Sequence, residues 1–110
     1  MNILKKYLDE TVRAIGYFTK FEYHSLISVK KIRKLYKIDP SDYSKINFYW
    51  RSLQSLEKDR IIQRYGNNSP KKYQVLNFMK FFDLLHDTYI DQVSISNNNN
   101  QDKAKISLAI

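Results

Sequence analysis

Lysine and arginine are the residues whose type and spacing carry the most chemistry here. Lys30, Arg33, Lys34 and Lys37 recur at helical spacing with no acid among them, Lys31 lies beside them, and Arg64, Lys71 and Lys72 flank a glycine- and asparagine-rich turn. Like charges on neighbouring helical turns repel by a few tenths of a kcal/mol per pair, so such a stripe points to an anionic partner. Between the two clusters lie Ser44, Asn47, Arg51, Ser52 and Ser55. Arginine and asparagine are the side chains that hydrogen-bond base edges, and small hydroxyls let a helix approach a surface closely. The chemistry on offer is binding. His24 and His86 are the only histidines and neither belongs to an adjacent Asp/Glu/His arrangement with ligand spacing, while Asp83, Asp87 and Asp91 form one helical stripe without a second ligand set. Catalysis, a metal and a cofactor are therefore not expected.

The charge is unevenly placed. The chain has 110 residues and a formal net charge of +8. Residues 1–27 carry +1, residues 28–80 carry thirteen Lys/Arg against four Asp/Glu for +9, and residues 81–110 carry −2. One basic segment and one mildly acidic segment suit a protein that meets nucleic acid with one part and protein with another. Cysteine is absent, which removes disulfides, thiolate metal sites and a cysteine nucleophile. Two glycines are too few for a phosphate-binding glycine loop. No apolar run is long enough to span a bilayer, and Met1-Asn2-Ile3-Leu4-Lys5 does not read as a signal peptide, so a soluble intracellular protein is expected.

The elements that must position these residues follow from periodicity. Leu4, Leu8, Val12, Ile15 and Phe18 predict a helix over 3–20. Residues 23–27 suit a short strand, and Ser28 is placed to cap a helix over 29–37 with Val29, Ile32, Leu35 and Tyr36 inward. Asp39-Pro40-Ser41-Asp42 predicts a helix start with Asp39 as cap and Pro40 in the first turn. That helix runs to Lys58, with Tyr43, Ile46, Trp50 and Leu53 as its core stripe, flanked by Tyr49 and Leu56. Its opposite face holds Ser44, Phe48, Arg51, Ser52 and Ser55. Phe48 is the misfit: it packs against a neighbouring element or, if exposed, meets a thymine methyl. Residues 61–76 predict a hairpin turning at Gly66–Pro70. Asn77 caps a last helix over 78–93, whose apolar residues cover roughly 240° against the ~100° a surface helix needs. That width suits either a central core helix or a helix shared across a dimer. Residues 94–110, with four consecutive asparagines, read as a flexible tail.

In this order of elements the chain resembles the winged helix-turn-helix family. The resemblance covers about residues 3–93 and is carried by Ser28–Lys37 as second helix, Asp39-Pro40 opening the third, Trp50 and Leu53 on its inner side, and Ile61–Leu76 as wing. The turn between the middle helices departs from the usual short glycine-containing turn. The resemblance implies an α+β, mostly α fold, a winged helix-turn-helix with an additional C-terminal helix. It implies a dimeric regulator of transcription that binds double-stranded DNA. The third helix would lie in the major groove with Ser44, Asn47, Phe48, Arg51 and Ser52 at the bases. Lys30, Lys31, Arg33, Lys34, Lys45 and Ser55 would hold the backbone. Arg64, Asn67, Asn68, Lys71 and Lys72 on the wing would reach an adjacent groove or phosphates. Phe78, Phe82, Leu85, Tyr89 and Ile90 would form the homodimer interface. In size and in Lys/Ile/Tyr-rich composition the chain is similar to small winged-helix proteins of archaeal viruses and plasmids, which would place it on DNA in the host cytoplasm. The competing expectation is an interaction subunit or scaffold that binds protein through the last helix and reads no DNA. RNA binding by aromatic stacking is a weaker third, because most aromatics fall on core faces.

Overall fold

The computed structural model describes residues 3–67 and 69–96, with side chains as far as Ile90. Four helices, α1 (Ile3–Phe21), α2 (Val29–Leu35), α3 (Tyr43–Lys58) and α4 (Phe78–Ser96), accompany strands β1 (Ile62–Arg64) and β2 (Tyr73–Val75). The fold is mostly helical with a small antiparallel sheet. Helix α4 continues three residues beyond the end read from its apolar pattern. Residues 97–110, most of the expected tail, lie outside the described residues.

Helix α1 buries Tyr7, Thr11, Val12, Ala14, Ile15 and Thr19. The expected stripe was Leu4, Leu8, Val12, Ile15 and Phe18, but Leu4 is 44% exposed and Leu8 and Phe18 only border the core. Two threonines explain the difference. Thr11 Oγ1 donates to the Tyr7 carbonyl at 2.7 Å and Thr19 Oγ1 to the Ile15 carbonyl at 2.9 Å. A hydroxyl satisfied on its own helix is buried at little cost, so these positions behave as small apolar ones. On the α4 side, a Cβ added at Gly16 would lie 3.0 Å from Leu85 Cδ2, so the glycine sets how closely the two helices approach.

Ser28 caps α2 as expected, its Oγ accepting from Lys31 N at 3.2 Å. The helix ends at Leu35, earlier than position 37. Lys37 takes φ +56°, and Ile38 N donates to the Arg33 carbonyl at 2.9 Å, which satisfies a terminal carbonyl as the chain turns. The start of α3 corrects the expectation built on Asp39. Asp39 Oδ1 accepts from Ser41 N at 2.8 Å and Ser41 Oγ at 2.7 Å, closing a local turn two residues long. These bonds also hold its carboxyl below the usual carboxylate range. With that oxygen occupied, Asp42 caps instead, accepting from Lys45 N at 3.3 Å, and the helix begins at Tyr43.

In the hairpin, Ile62, Gln63 and Arg64 pair with Val75, Gln74 and Tyr73. The strand expected over 23–27 contracts to one bridge, Ile27 with Tyr73, in which each amide donates to the other's carbonyl at 2.8 Å. Strand β2 therefore lies between β1 and Ile27. The core gathers Val12, Ala14 and Ile15 from α1, Ile27, Ile32, Leu53 and Leu56, then Ile62, Tyr73 and Phe81, all 0–1% exposed.

An aromatic cluster joins the first three helices. Tyr7 meets Tyr49 edge-on at 5.1 Å, and Tyr49 stacks on Tyr36 at 5.9 Å. Both hydroxyls end on one residue of α1: Tyr49 donates to Glu10 Oε1 at 2.7 Å and Tyr36 to the Glu10 carbonyl at 2.6 Å. Burial first, and then the Glu10 charge, push the Tyr36 phenol up to about 12, while burial first, and then the hydrogen bond to Glu10, raise Tyr49. An unfolded tyrosine titrates near 10. Stability held by the neutral phenols is thus fully present below about pH 10 and is lost as pH rises toward 12. The urea midpoint is expected to fall steeply across that window, and less steeply in Tyr36→Phe. Equal slopes for the two proteins would contradict the account.

Candidate nucleic-acid interface

The direction of α3 decides which residues face outward. Its buried side chains are Tyr49, Ser52, Leu53 and Leu56, while Tyr43 is 77% exposed and Ile46 and Trp50 are half-buried. At about 100° per residue the helix is turned by roughly a quarter-turn from the expected stripe of Tyr43, Ile46, Trp50 and Leu53. The cause is the aromatic cluster, which pulls Tyr49 inward. Ser52 goes with it, its hydroxyl donating to the Phe48 carbonyl at 2.9 Å.

Two expected base contacts are corrected as a result. Ser52 is 5% exposed. Phe48 stacks on Tyr7 with centroids 4.8 Å apart and planes 9° from parallel, so packing is its role. The Ser52 hydroxyl and the Phe48 ring are thus both taken up by contacts within the chain. Ser44, Asn47, Arg51 and Ser55 remain exposed, and the same turn of the helix brings out Tyr43, Gln54 and Lys58. Gln54 was missed because the face had been centred elsewhere. Asn47 and Ser44 line an open groove of about 740 Å³ with Val29, Tyr43, Ile46 and Trp50. Arg51 and Ser55 border a smaller one of about 310 Å³ against Leu4, Lys5 and Leu8 of α1.

Among the cations of α2, Lys30 and Lys34 are exposed. Lys31 is exposed too, yet its ammonium donates to the Leu26 carbonyl at 2.6 Å and stands 5.5 Å from the Phe18 ring. Arg33 is half-buried and donates to the Ile38 carbonyl at 3.2 Å, holding the turn into α3. Both therefore have work within the fold. Lys45 lies 3.8 Å from the Asp42 carboxylate.

The hairpin leans toward α3. Lys71 Nζ sits 5.5 Å from the centroid of the Trp50 ring, a cation–π contact between loop and helix. Arg64 reaches the Asn67 carbonyl at 3.4 Å, and Lys72 is exposed. Asn68 lies outside the described residues. Lys30 and Lys34 of α2, Arg51 and Lys58 of α3, and Arg64, Lys71 and Lys72 of the hairpin are all exposed.

Helix α4 starts on its expected cap, Asn77 Oδ1 accepting from Lys80 N at 3.0 Å. Its wide apolar arc divides. Phe81 and Thr88 are buried, while Phe78, Leu85 and Tyr89 are half-buried within the chain. Met79, Phe82 and Ile90 are 80%, 46% and 46% exposed. From α1 and the turn after it, Tyr17, Phe21 and Tyr23 are also exposed, at 50%, 73% and 65%. Ring contacts run from Tyr23 to Phe78 at 5.6 Å and on to Phe82 at 5.9 Å. His86 is exposed.

No protein-family model, no curated protein and no solved structure matches the chain. Among the described residues no group of three or more His, Cys, Asp or Glu is placed to hold a metal ion, and no helix is long and apolar enough to cross a membrane.

Proposed function

We propose that the protein is a winged helix-turn-helix regulator of transcription that binds double-stranded DNA as a homodimer, on DNA in the cytoplasm. The observation that supports this most is the outward face of α3. It presents Ser44, Asn47, Arg51 and Gln54 together, and along the groove beside Ser44 and Asn47 lie Val29 of α2 and Trp50, over which the hairpin's Lys71 ammonium stands. Side chains suited to reading base edges thus lie beside a cation suited to holding a phosphate. In this reading α3 enters the major groove, Lys30 and Lys34 grip the backbone, and Arg64, Lys71 and Lys72 reach an adjacent groove or strand. Regulation is by occupancy. Selection from a random duplex pool tests it: a defined motif is expected, and recovery of no enriched sequence would contradict specific readout.

The homodimer rests on the exposed part of α4 with the aromatic end of α1. Apolar groups in contact with one another at this exposure suit a protein interface. Replacing Met79 and Phe82 together by aspartate is expected to convert a dimer to a monomer in sedimentation, with the helical circular dichroism retained. A wild-type chain that sediments as a monomer at all concentrations would remove this part of the proposal. The same apolar surface favours a second reading, an interaction subunit that binds another protein and no DNA. A chain that holds a protein partner but gives no saturable binding to any duplex would establish that reading over the first.

A further inference from the structure

The outward face of α3 mixes two kinds of group. Asn47 and Gln54 are exposed amides seven residues apart, on one side of the helix and about 10 Å apart along its axis. That distance is about three base-pair steps of ~3.4 Å. Each amide offers one acceptor and a donor side by side, the complement of the N6 donor and N7 acceptor of adenine; guanine presents two acceptors there and leaves the amide carbonyl opposed. Beside Asn47 the surface is apolar. Tyr43 projects at 77% exposure, and with Val29, Ile46 and Trp50 it lines the open groove that Asn47 and Ser44 also border. The apolar group a major groove presents is the thymine C5-methyl, and in an A·T pair it lies next to the adenine edge. An amide flanked by an apolar groove therefore matches both halves of one base pair.

We infer that α3 selects an A·T-rich half-site: Asn47 and Gln54 take adenines, the groove of Val29, Tyr43, Ile46 and Trp50 takes thymine methyls, and Arg51 between them takes one guanine. The inference rests on the reading of α3 as the helix that enters the major groove. The surrounding charge fits such an occupant: the Lys71 ammonium stands over Trp50 at the groove, and exposed Lys30 follows Val29, another of its lining residues.

Fluorescence anisotropy with the duplex enriched from a random pool tests it. The same duplex is made with uracil in place of thymine, which deletes the methyls alone. Each methyl taken up by the groove is worth about fourfold in affinity, from the transfer free energy of one methylene-sized group. Uracil is therefore expected to weaken binding at least severalfold, and Tyr43→Ala to weaken binding to the thymine duplex more than to its uracil counterpart. Adenine replaced by 7-deazaadenine, which lacks N7, is expected to weaken wild type and to have no further effect on a chain carrying both Asn47→Ala and Gln54→Ala. Tight binding of thymine and uracil duplexes alike, with no A·T enrichment in the pool, would overturn the A·T inference and leave the DNA reading standing. Absence of binding to every duplex would overturn the DNA reading beneath it.

Discussion

Replacing Asn47 and Arg51 together by alanine is expected to cost a hundredfold or more in affinity for the selected duplex. Each side chain that makes a bidentate contact with a base is worth about 1–3 kcal/mol of discrimination. Both residues are exposed and neither supports the core, so thermal stability should stay close to wild type. Non-specific DNA is the control, where a base reader's loss should cost little. Arg51 is assigned a guanine, so its loss should be felt at the preferred sequence, whereas weakening of all duplexes alike with a salt slope reduced by about one would show a phosphate contact instead. Asn47 carries no charge, and its loss should be felt at the preferred sequence alone. A double variant that binds selected and random duplexes as wild type does would show that α3 does not read bases. Phe48→Ala and Ser52→Ala offer a contrast, because both side chains are taken up within the protein. Their effect on affinity should follow their effect on stability.

The largest stability effect is expected at Tyr49, on the inner side of the same helix. Its ring is 1% exposed, lies between Tyr7 and Tyr36, and its hydroxyl donates to Glu10. Tyr49→Ala removes the packing that sets the rotation of α3 and is expected to destabilise by about 4 kcal/mol, in the range for a large buried aromatic. Small domains have about 5–15 kcal/mol in all, so much of the folded population's margin goes with it. For a chain of this size that is a fall in Tm of about 15 °C. Tyr49→Phe keeps the ring and loses the bond to a charged oxygen, for about 1–3 kcal/mol. The single tryptophan, Trp50, reports both unfolding curves by fluorescence. A Tyr49→Ala protein as stable as wild type would mean that the Glu10–Tyr36–Tyr49 cluster does not orient α3.

What could be read from the residues alone divides by physical cause. Ser28 and Asn77 were legible as caps because a polar side chain just before an apolar run has few competing uses. The Gly66–Pro70 turn between alternating residues likewise marked the hairpin. Asp39 was misread because two acids stood three residues apart, and only geometry shows that Ser41 claims the first. Helix positions were legible and helix rotations were not. In α1 and α3 the buried faces are built partly from Thr11, Thr19, Ser52 and Tyr49, whose polar atoms find partners inside, and from Tyr7, whose ring packs on Phe48 and Tyr49. A hydropathy pattern counts such residues as surface. The rotation decides the site, so Ser44, Asn47 and Arg51 stay outward, Phe48 and Ser52 turn in, and Gln54 and Tyr43 emerge. In α2, spacing alone does not show that Lys31 and Arg33 bond to main-chain carbonyls. For α4 the wide apolar arc divides: one side meets α1 through Leu85 and Gly16, while Met79, Phe82 and Ile90 stay exposed.

The central claim is that the cations of α2, α3 and the hairpin meet the phosphates of a duplex. The most direct measurement is the affinity for one labelled duplex at a series of salt concentrations. Six to eight phosphate contacts at ~0.9 per contact predict a slope of log K against log salt of about −5 to −7. Alanine at Lys30, Lys34 and Lys72 together should flatten it by about three. A slope near zero, or binding that is indifferent to those three substitutions, would contradict the account.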